Sequence, residues 1–199
     1  VGSEMCIRDR WEAILEQPRP AEGLTYWAGV DHYARGVAYA HLGKADQAIK
    51  ELGALNAIRS SPEASELVVS FSNAKTLLTI AGEVLQGEIA VAGGRYDEAI
   101  AHLDKAVRLE DSMLYNEPPS WHYPVRHVLG AALLDAGRWK EADVVYWQDL
   151  AKNRDNGFAL FGLAQAYEAL GQPARADAVR RRFESACQAA DVELTSSRY

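Results

Sequence analysis

His122, His127 and Asp135 lie close enough in sequence to raise the question of a metal or catalytic site. Two histidines that bind one zinc ion from the same helix are normally four residues apart, whereas His122 and His127 are five apart. The sequence also lacks a nucleophile elbow of the G-x-S-x-G type and a glycine-rich phosphate loop. We therefore predict no catalytic residue, no cofactor-binding residue and no metal ligand, and we expect that the protein is not an enzyme.

The composition is that of a globular protein. The chain has 199 residues, of which 48% are hydrophobic and 25% are charged, with a net charge of −7. This negative charge argues against broad electrostatic binding to nucleic acid or to an anionic membrane. The most apolar stretch, Leu67–Ala92, contains Lys75 and Glu83, so we predict no membrane span.

Four segments of the chain share one spacing of small residues. In each segment a glycine or alanine precedes a second glycine by seven residues, and an alanine follows that second glycine by five. The second glycines are Gly43, Gly94, Gly137 and Gly171, and the alanines are Ala48, Ala99, Ala142 and Ala176. Successive second glycines are 51, 43 and 34 residues apart, which indicates inserts of 17 and 9 residues in a repeat of 34.

This spacing predicts a helical hairpin. The first small residue allows two helices to cross closely, and the second glycine can adopt the left-handed conformation that ends a helix. The alanine then lies on the second helix and faces back into the hairpin. No strand pattern of comparable length occurs, so the sequence predicts an all-α chain of about four helical hairpins.

The pattern resembles that of the tetratricopeptide repeat (TPR) family, which repeats about every 34 residues. The matching positions are Gly36, Tyr39 and Ala48; Gly87, Tyr96, Ala99 and Ala106; Leu129, Gly130, Ala142 and Tyr146; and Leu163, Ala164, Tyr167 and Ala176. No unit keeps the family's initial tryptophan or final proline. The resemblance covers residues 29–190 and implies a right-handed α–α superhelix. It also implies a protein-binding or peptide-binding scaffold with a concave groove.

The remaining segments are less regular. Residues 1–10 resemble the translation of a sequencing adaptor, so we expect an artefact that replaces the natural N-terminus. We interpret residues 11–28 as the remnant of an upstream helix, Trp11–Leu15, and a loop. Residues 67–92 are predicted as one extended or kinked helix, residues 111–124 as a loop and residues 191–199 as a C-terminal tail. The blocks 115–134 and 156–164 are similar to a narrower group of bacterial repeat proteins, which suggests a bacterial, metagenomic fragment.

The resemblance selects the residues of the groove, because the family builds its concave surface from the first helix of each hairpin. The candidates are Tyr33, Val37, His41, Val84, Glu88, Val91, His127, Ala131, Asp135, Phe158, Phe161, Gln165 and Glu168. No lysine or arginine is among them, so a clamp for a peptide carboxylate is not expected. We predict a partner segment with apolar anchors and basic flanks, held by Phe158 and Phe161, although Phe161 fits equally well in the core. Trp121 either packs its loop onto the hairpins or overhangs the groove.

Two other functions remain open. The chain could be a structural segment of a larger solenoid or of a homo-oligomer. A less favoured alternative is an enzyme with its site in the groove, at residues such as His127, Asp135 or Glu168. The sequence leaves the partner and the localisation unidentified, with the cytoplasm as the default expectation.

Overall fold

The computed structural model describes residues 10–69, 71–188 and 194–198. The chain divides into two compact units, one up to Tyr123 and the other from Pro124 onward. The first unit contains α1 (residues 10–16), α2 (Thr25–His41), α3 (Ala45–Arg59), α4 (Pro62–Glu66), β1 (Val68–Val69), β2 (Ser72–Asn73), α5 (Ala74–Ala92) and α6 (Tyr96–Asp111). The second contains α7 (Val125–Asp135), α8 (Trp139–Lys152), α9 (Gly157–Ala169) and α10 (Pro173–Ala186).

The predicted hairpins are present as α2–α3, α5–α6, α7–α8 and α9–α10. The four second glycines follow the first helices and have φ angles of 71°, 70°, 71° and 69° in chain order. A Cβ at any of these glycines would meet no atom within 4 Å, so the backbone conformation and not lack of space requires glycine. The four predicted alanines are fully buried.

The first small residues also permit close helix crossings, although not always within their own hairpin. A Cβ on Gly87 would lie 2.6 Å from Cγ of Leu103, and one on Gly130 would lie 2.4 Å from the Tyr146 ring. Both neighbours lie on the second helix of the same hairpin. Gly36 instead faces Leu85 of α5, which is the first helix of the following hairpin.

The prediction of one helix over residues 67–92 is wrong. Ser61 caps α4 by accepting a hydrogen bond from Ala64 N, and β1 then pairs with β2 in an antiparallel ladder. The long helix α5 begins only after Asn73, whose side chain accepts from Lys75 N at 2.8 Å. Asparagine favours such caps because its side chain satisfies the free N–H groups at a helix start. The first insert therefore contains a short helix, α4, and a small β-hairpin, β1–β2.

The other segments have the following structure where it is described, with Asp111 of the predicted loop belonging to α6. Residues 10–16 are helical, and residues 17–23 and 112–124 form neither helix nor strand. The prediction for residues 1–10 lies outside the described residues except for Arg10, which is in α1. Of the predicted tail, residues 194–198 are described. In the described part of the chain, no helix combines the length and apolarity needed to cross a bilayer.

Candidate functional site

The Trp121 loop packs within the first unit. Trp121 is 4% exposed, and its ring meets that of Tyr33 edge to face at 5.7 Å between centroids. The hydroxyl groups of Tyr33 and Tyr123 are 2.7 Å apart, within hydrogen-bond distance. Trp121 and Tyr33 are therefore buried side chains of the first unit.

The other groove candidates of the first unit are mostly buried as well. Val37, Val84 and Glu88 are at most 2% exposed, and only Val91 and His41 are partly exposed. The His41 ring stacks on Trp11 at 4.4 Å, and its Nε2 lies 3.4 Å from Oε2 of Glu88. The structure thus differs from the predicted open groove floor at these positions, because apolar side chains and a carboxylate of the first helices point into the unit.

The first unit also contains a charged network that sequence reasoning missed. Glu51 receives a hydrogen bond from Arg19 at 2.7 Å and lies 2.5 Å from Nδ1 of His32. Burial alone would raise the pKa of Glu51, but the hydrogen bonds to Arg19 and His32 outweigh it and hold the pKa below the usual value. Beside this network lies an open cleft of about 560 Å³. The signal in the sequence that could have indicated this network is the spacing of Asp31 and Arg35, which are four residues apart on one helix and form an ion pair.

In the second unit His127 belongs to a buried polar cluster. His127 is 5% and Asp149 is 1% exposed, with Nε2 and Oδ2 3.5 Å apart. Asn156 donates to Asp149 at 2.9 Å, lies 2.6 Å from His127 Nε2, and caps α9 by accepting from Phe158 N. A histidine–carboxylate pair acts as a general base only where a substrate can reach it. Burial on both sides therefore makes this pair a structural element.

The tail residues Ser197 and Arg198 lie against predicted groove residues of the same unit. Oγ of Ser197 is 2.5 Å from the Tyr146 hydroxyl and donates to the carbonyl of His127 at 3.4 Å. Arg198 donates from Nη2 to Oδ2 of Asp135 at 2.9 Å. Ser197 is 1% exposed, so this residue of the tail is buried against the second unit.

Two glycines explain how Tyr146 of α8 reaches the tail. A Cβ on Gly130 of α7 would lie 2.7 Å from the Tyr146 hydroxyl oxygen, and a Cβ on Gly162 of α9 would lie 2.4 Å from it. The phenol therefore passes between α7 and α9 where neither helix has a side chain. Burial raises the pKa of the Tyr146 phenol, so the group stays protonated and can donate a hydrogen bond to Ser197.

The remaining predicted residues of the second unit divide between surface and core. Phe158 is 38% exposed, and its ring stacks on His127 with centroids 5.4 Å apart. Phe161 is partly buried and its ring lies 6.0 Å from that of Phe183, and Glu168 pairs with Arg180. Gln165 is partly exposed and Ala131 is buried. The structure thus places His127 and Asp135 in contact with the tail, and the Phe158 ring lies on the ring of His127. We call this surface, with the Tyr146 hydroxyl, the α7–α9 face.

Comparison with known proteins identifies the repeats. Residues 84–112, 124–146 and 158–185 each match a tetratricopeptide repeat model. A crystal structure of a Podosopora anserina protein, described as a kinesin light chain with nearly identical TPR-like repeats, is similar to this chain. The two share 20% identity over 96% of this chain and 90% of that one, with a TM-score of 0.58. No curated protein matches the chain.

These findings confirm the predicted all-α repeat fold, for which the similarity to the solved structure is evidence of fold alone. Three of the four hairpins overlap segments that match tetratricopeptide repeat models, and repeats of this kind present extended surfaces to other proteins. The chain is therefore a repeat module for protein interaction.

Proposed function

We propose that the α7–α9 face binds a short extended segment of a partner protein, in which a hydroxyl residue precedes an arginine or lysine. This proposal rests on the contacts of the tail. Ser197 contacts Tyr146 and His127, and Arg198 binds Asp135. The chain's own tail stands in for the partner segment. A partner with the same two groups would have to displace it.

Each contact selects a different feature of the partner segment. The Tyr146 hydroxyl and the His127 carbonyl form a buried pair of donor and acceptor, which a hydroxyl side chain satisfies and an apolar side chain leaves unpaired. The Asp135 carboxylate is 43% exposed and selects a positive charge, although an exposed ion pair contributes little affinity. Phe158 offers an apolar surface next to the ring of His127. The sequence predicted a partner segment with basic flanks, and Arg198 carries such a positive charge.

The test uses a chain that ends at residue 193 and a fluorescent peptide of residues 190–199. We expect the peptide to bind this shortened chain, as measured by fluorescence anisotropy. The full chain should bind about tenfold more weakly if the peptide Kd is ~100 μM, because a tethered tail competes at an effective concentration of ~1 mM. Circular dichroism checks that the shortened chain remains folded.

A charge exchange provides the matched control. A peptide with Arg198→Glu should bind the shortened chain more weakly than the original peptide, and an Asp135→Arg variant of the chain should reverse this preference. A Ser197→Val peptide should also lose affinity. If both charge versions bind both chains equally, or if no peptide binds, the α7–α9 face is not the binding site and the tail is only a structural cap.

The origin of the chain is a separate proposal. The similarity of residues 115–134 and 156–164 to bacterial repeat proteins supports a bacterial source, and the adaptor-like string supports an artefact at residues 1–10. Amplification of the gene from its source DNA tests both. A natural coding sequence that reads through these ten residues unchanged would overturn the second.

A further inference from the structure

The two inserts that interrupt the repeat meet in the first unit. Ser72 lies in β2, within the first insert, and its hydroxyl donates to Oγ of Ser120 at 3.0 Å. The same oxygen lies 3.8 Å from Sδ of Met113. Ser120 and Met113 belong to the loop of the second insert. Ser120 and Met113 are 48 and 41 residues away from Ser72 along the chain. The two inserts therefore form one surface.

This surface carries the most exposed large apolar side chains of the described residues. Phe71, immediately before Ser72, is 83% exposed, and Leu114 and Tyr115, which follow Met113, are 82% and 86% exposed. We call these three residues the insert patch. Single exposed apolar residues are common on protein surfaces, but several of them on adjoining segments are typical of an interaction site.

The backbone of Phe71 also points to a role outside folding. Its φ angle is 66°, in the left-handed region that glycine adopts readily and a bulky residue rarely does. A glycine would therefore fit this turn with less strain. An exposed ring held at such a position contributes little to the core, and strained residues of this kind cluster at binding sites.

The two segments that carry the insert patch are acidic, although basic residues such as Lys75 lie next to them in the sequence. Residues 60–73 and 111–124 contain Glu63, Glu66, Asp111 and Glu117 but neither lysine nor arginine. A second copy of the same surface would be repelled by these carboxylates, and so would a membrane of anionic lipids. A basic partner surface is complementary to them.

We propose that the insert patch docks a basic amphipathic helix of a partner protein. The apolar face of that helix covers Phe71, Leu114 and Tyr115, and its lysine or arginine residues face Glu66, Asp111 and Glu117. This site is separate from the α7–α9 face and does not depend on it. A chain that ends at residue 193 retains the patch.

The probe for this site is an amphipathic peptide of leucine and lysine about 18 residues long, or roughly five helical turns. Fluorescence anisotropy should show binding to the full chain that weakens as salt is added. A matched peptide with glutamate in place of lysine should not bind. Equal binding of the two peptides would overturn the proposal.

Variants of the patch separate binding from folding. Phe71→Gly should raise the Kd of the lysine peptide at least about tenfold while the melting temperature stays the same or rises. The double variant Leu114→Ser/Tyr115→Ser should weaken binding similarly. Ile49→Ser is the control, because Ile49 is 54% exposed on α3, outside both inserts, and should leave the Kd unchanged.

Three outcomes would contradict this assignment. The first is an unchanged Kd in both patch variants. The second is self-association of the chain, seen by light scattering, that Phe71→Gly abolishes, since a second copy would then be the occupant. The third is Phe71-dependent sedimentation with phosphatidylserine vesicles, since a lipid surface would then be the occupant.

Discussion

Gly130 is the position where the packing of the second unit can be tested most directly. A Cβ on Gly130 would lie 2.4 Å from Cε1 and Cζ of Tyr146, closer than real Cβ atoms approach other heavy atoms. The Tyr146 ring cannot move away freely, because it is fully buried and α9 also approaches it closely, at Gly162. Gly130→Ala should therefore force the helices or the ring to shift.

Two effects of opposite sign determine how Gly130→Ala changes the free energy of unfolding. Replacing glycine by alanine inside a helix stabilises the folded state by about 1 kcal/mol. Overpacking a tight contact destabilises it by about 1–3 kcal/mol. Gly53→Ala isolates the first effect, since Gly53 is an exposed residue of α3 where a Cβ would meet nothing within 4 Å. The difference between the two variants, about 1–3 kcal/mol, then measures the packing at Gly130 alone.

Urea unfolding followed by circular dichroism measures both free energies of unfolding. We expect Gly53→Ala to be more stable than the original chain and Gly130→Ala to be less stable than Gly53→Ala by that margin. Tyr146→Leu in the Gly130→Ala background should recover part of the difference, because the shorter side chain leaves room for the added methyl group. Equal stabilisation by both alanine substitutions would refute the placement of Tyr146 against α7.

Two further predictions concern a buried carboxylate and an exposed ring. Burial would raise the pKa of Glu83, but hydrogen bonds from Lys105 and His102 lower it below 4.5, the ordinary value. The resulting stabilisation is complete above the unfolded pKa and is lost as the pH falls through the folded pKa. Glu83→Gln should therefore be less stable than the original chain at neutral pH, and this difference in the free energy of unfolding should shrink as the pH falls below the ordinary pKa of a glutamate. Urea unfolding across pH that shows a constant difference would contradict this. Phe158→Ala should weaken binding of the tail peptide to the shortened chain and leave its melting temperature nearly unchanged. A lower melting temperature with unchanged affinity would instead assign Phe158 to the core.

The hairpins could be predicted because their determinants are local. Gly137 ends α7 with a φ angle that glycine adopts readily, and the requirement depends on the backbone of that residue alone. Ala142, five residues later, is fully buried because the turn between the helices fixes which face of α8 points back. Such features repeat at fixed spacing, so one sequence shows them four times.

The error at residues 67–92 has a local cause that composition concealed. Val68 and Val69 are apolar, as are most residues of α5, and hydrophobic content does not distinguish a strand from a helix over so few residues. The deciding residue was Asn73, which caps α5 and so ends any helix that would run through it. A search for caps within the apolar stretch would have found it.

His127, Asp135 and Phe158 were predicted candidates, but the contacts of the tail and of the inserts escaped prediction because they are not local. Ser197 lies 51 residues from Tyr146 and 70 from His127, and a serine in a polar tail carries no mark of burial. The lengths of the two inserts were readable from the glycine spacing, but the hydrogen bond between Ser72 and Ser120 was not. A strict repeat constrains each hairpin to the same contacts, so the residues that distinguish this chain from other repeats lie where the repeat is broken. That is where its partner specificity should be sought, at Phe71 and Tyr115 and at the seat of the tail.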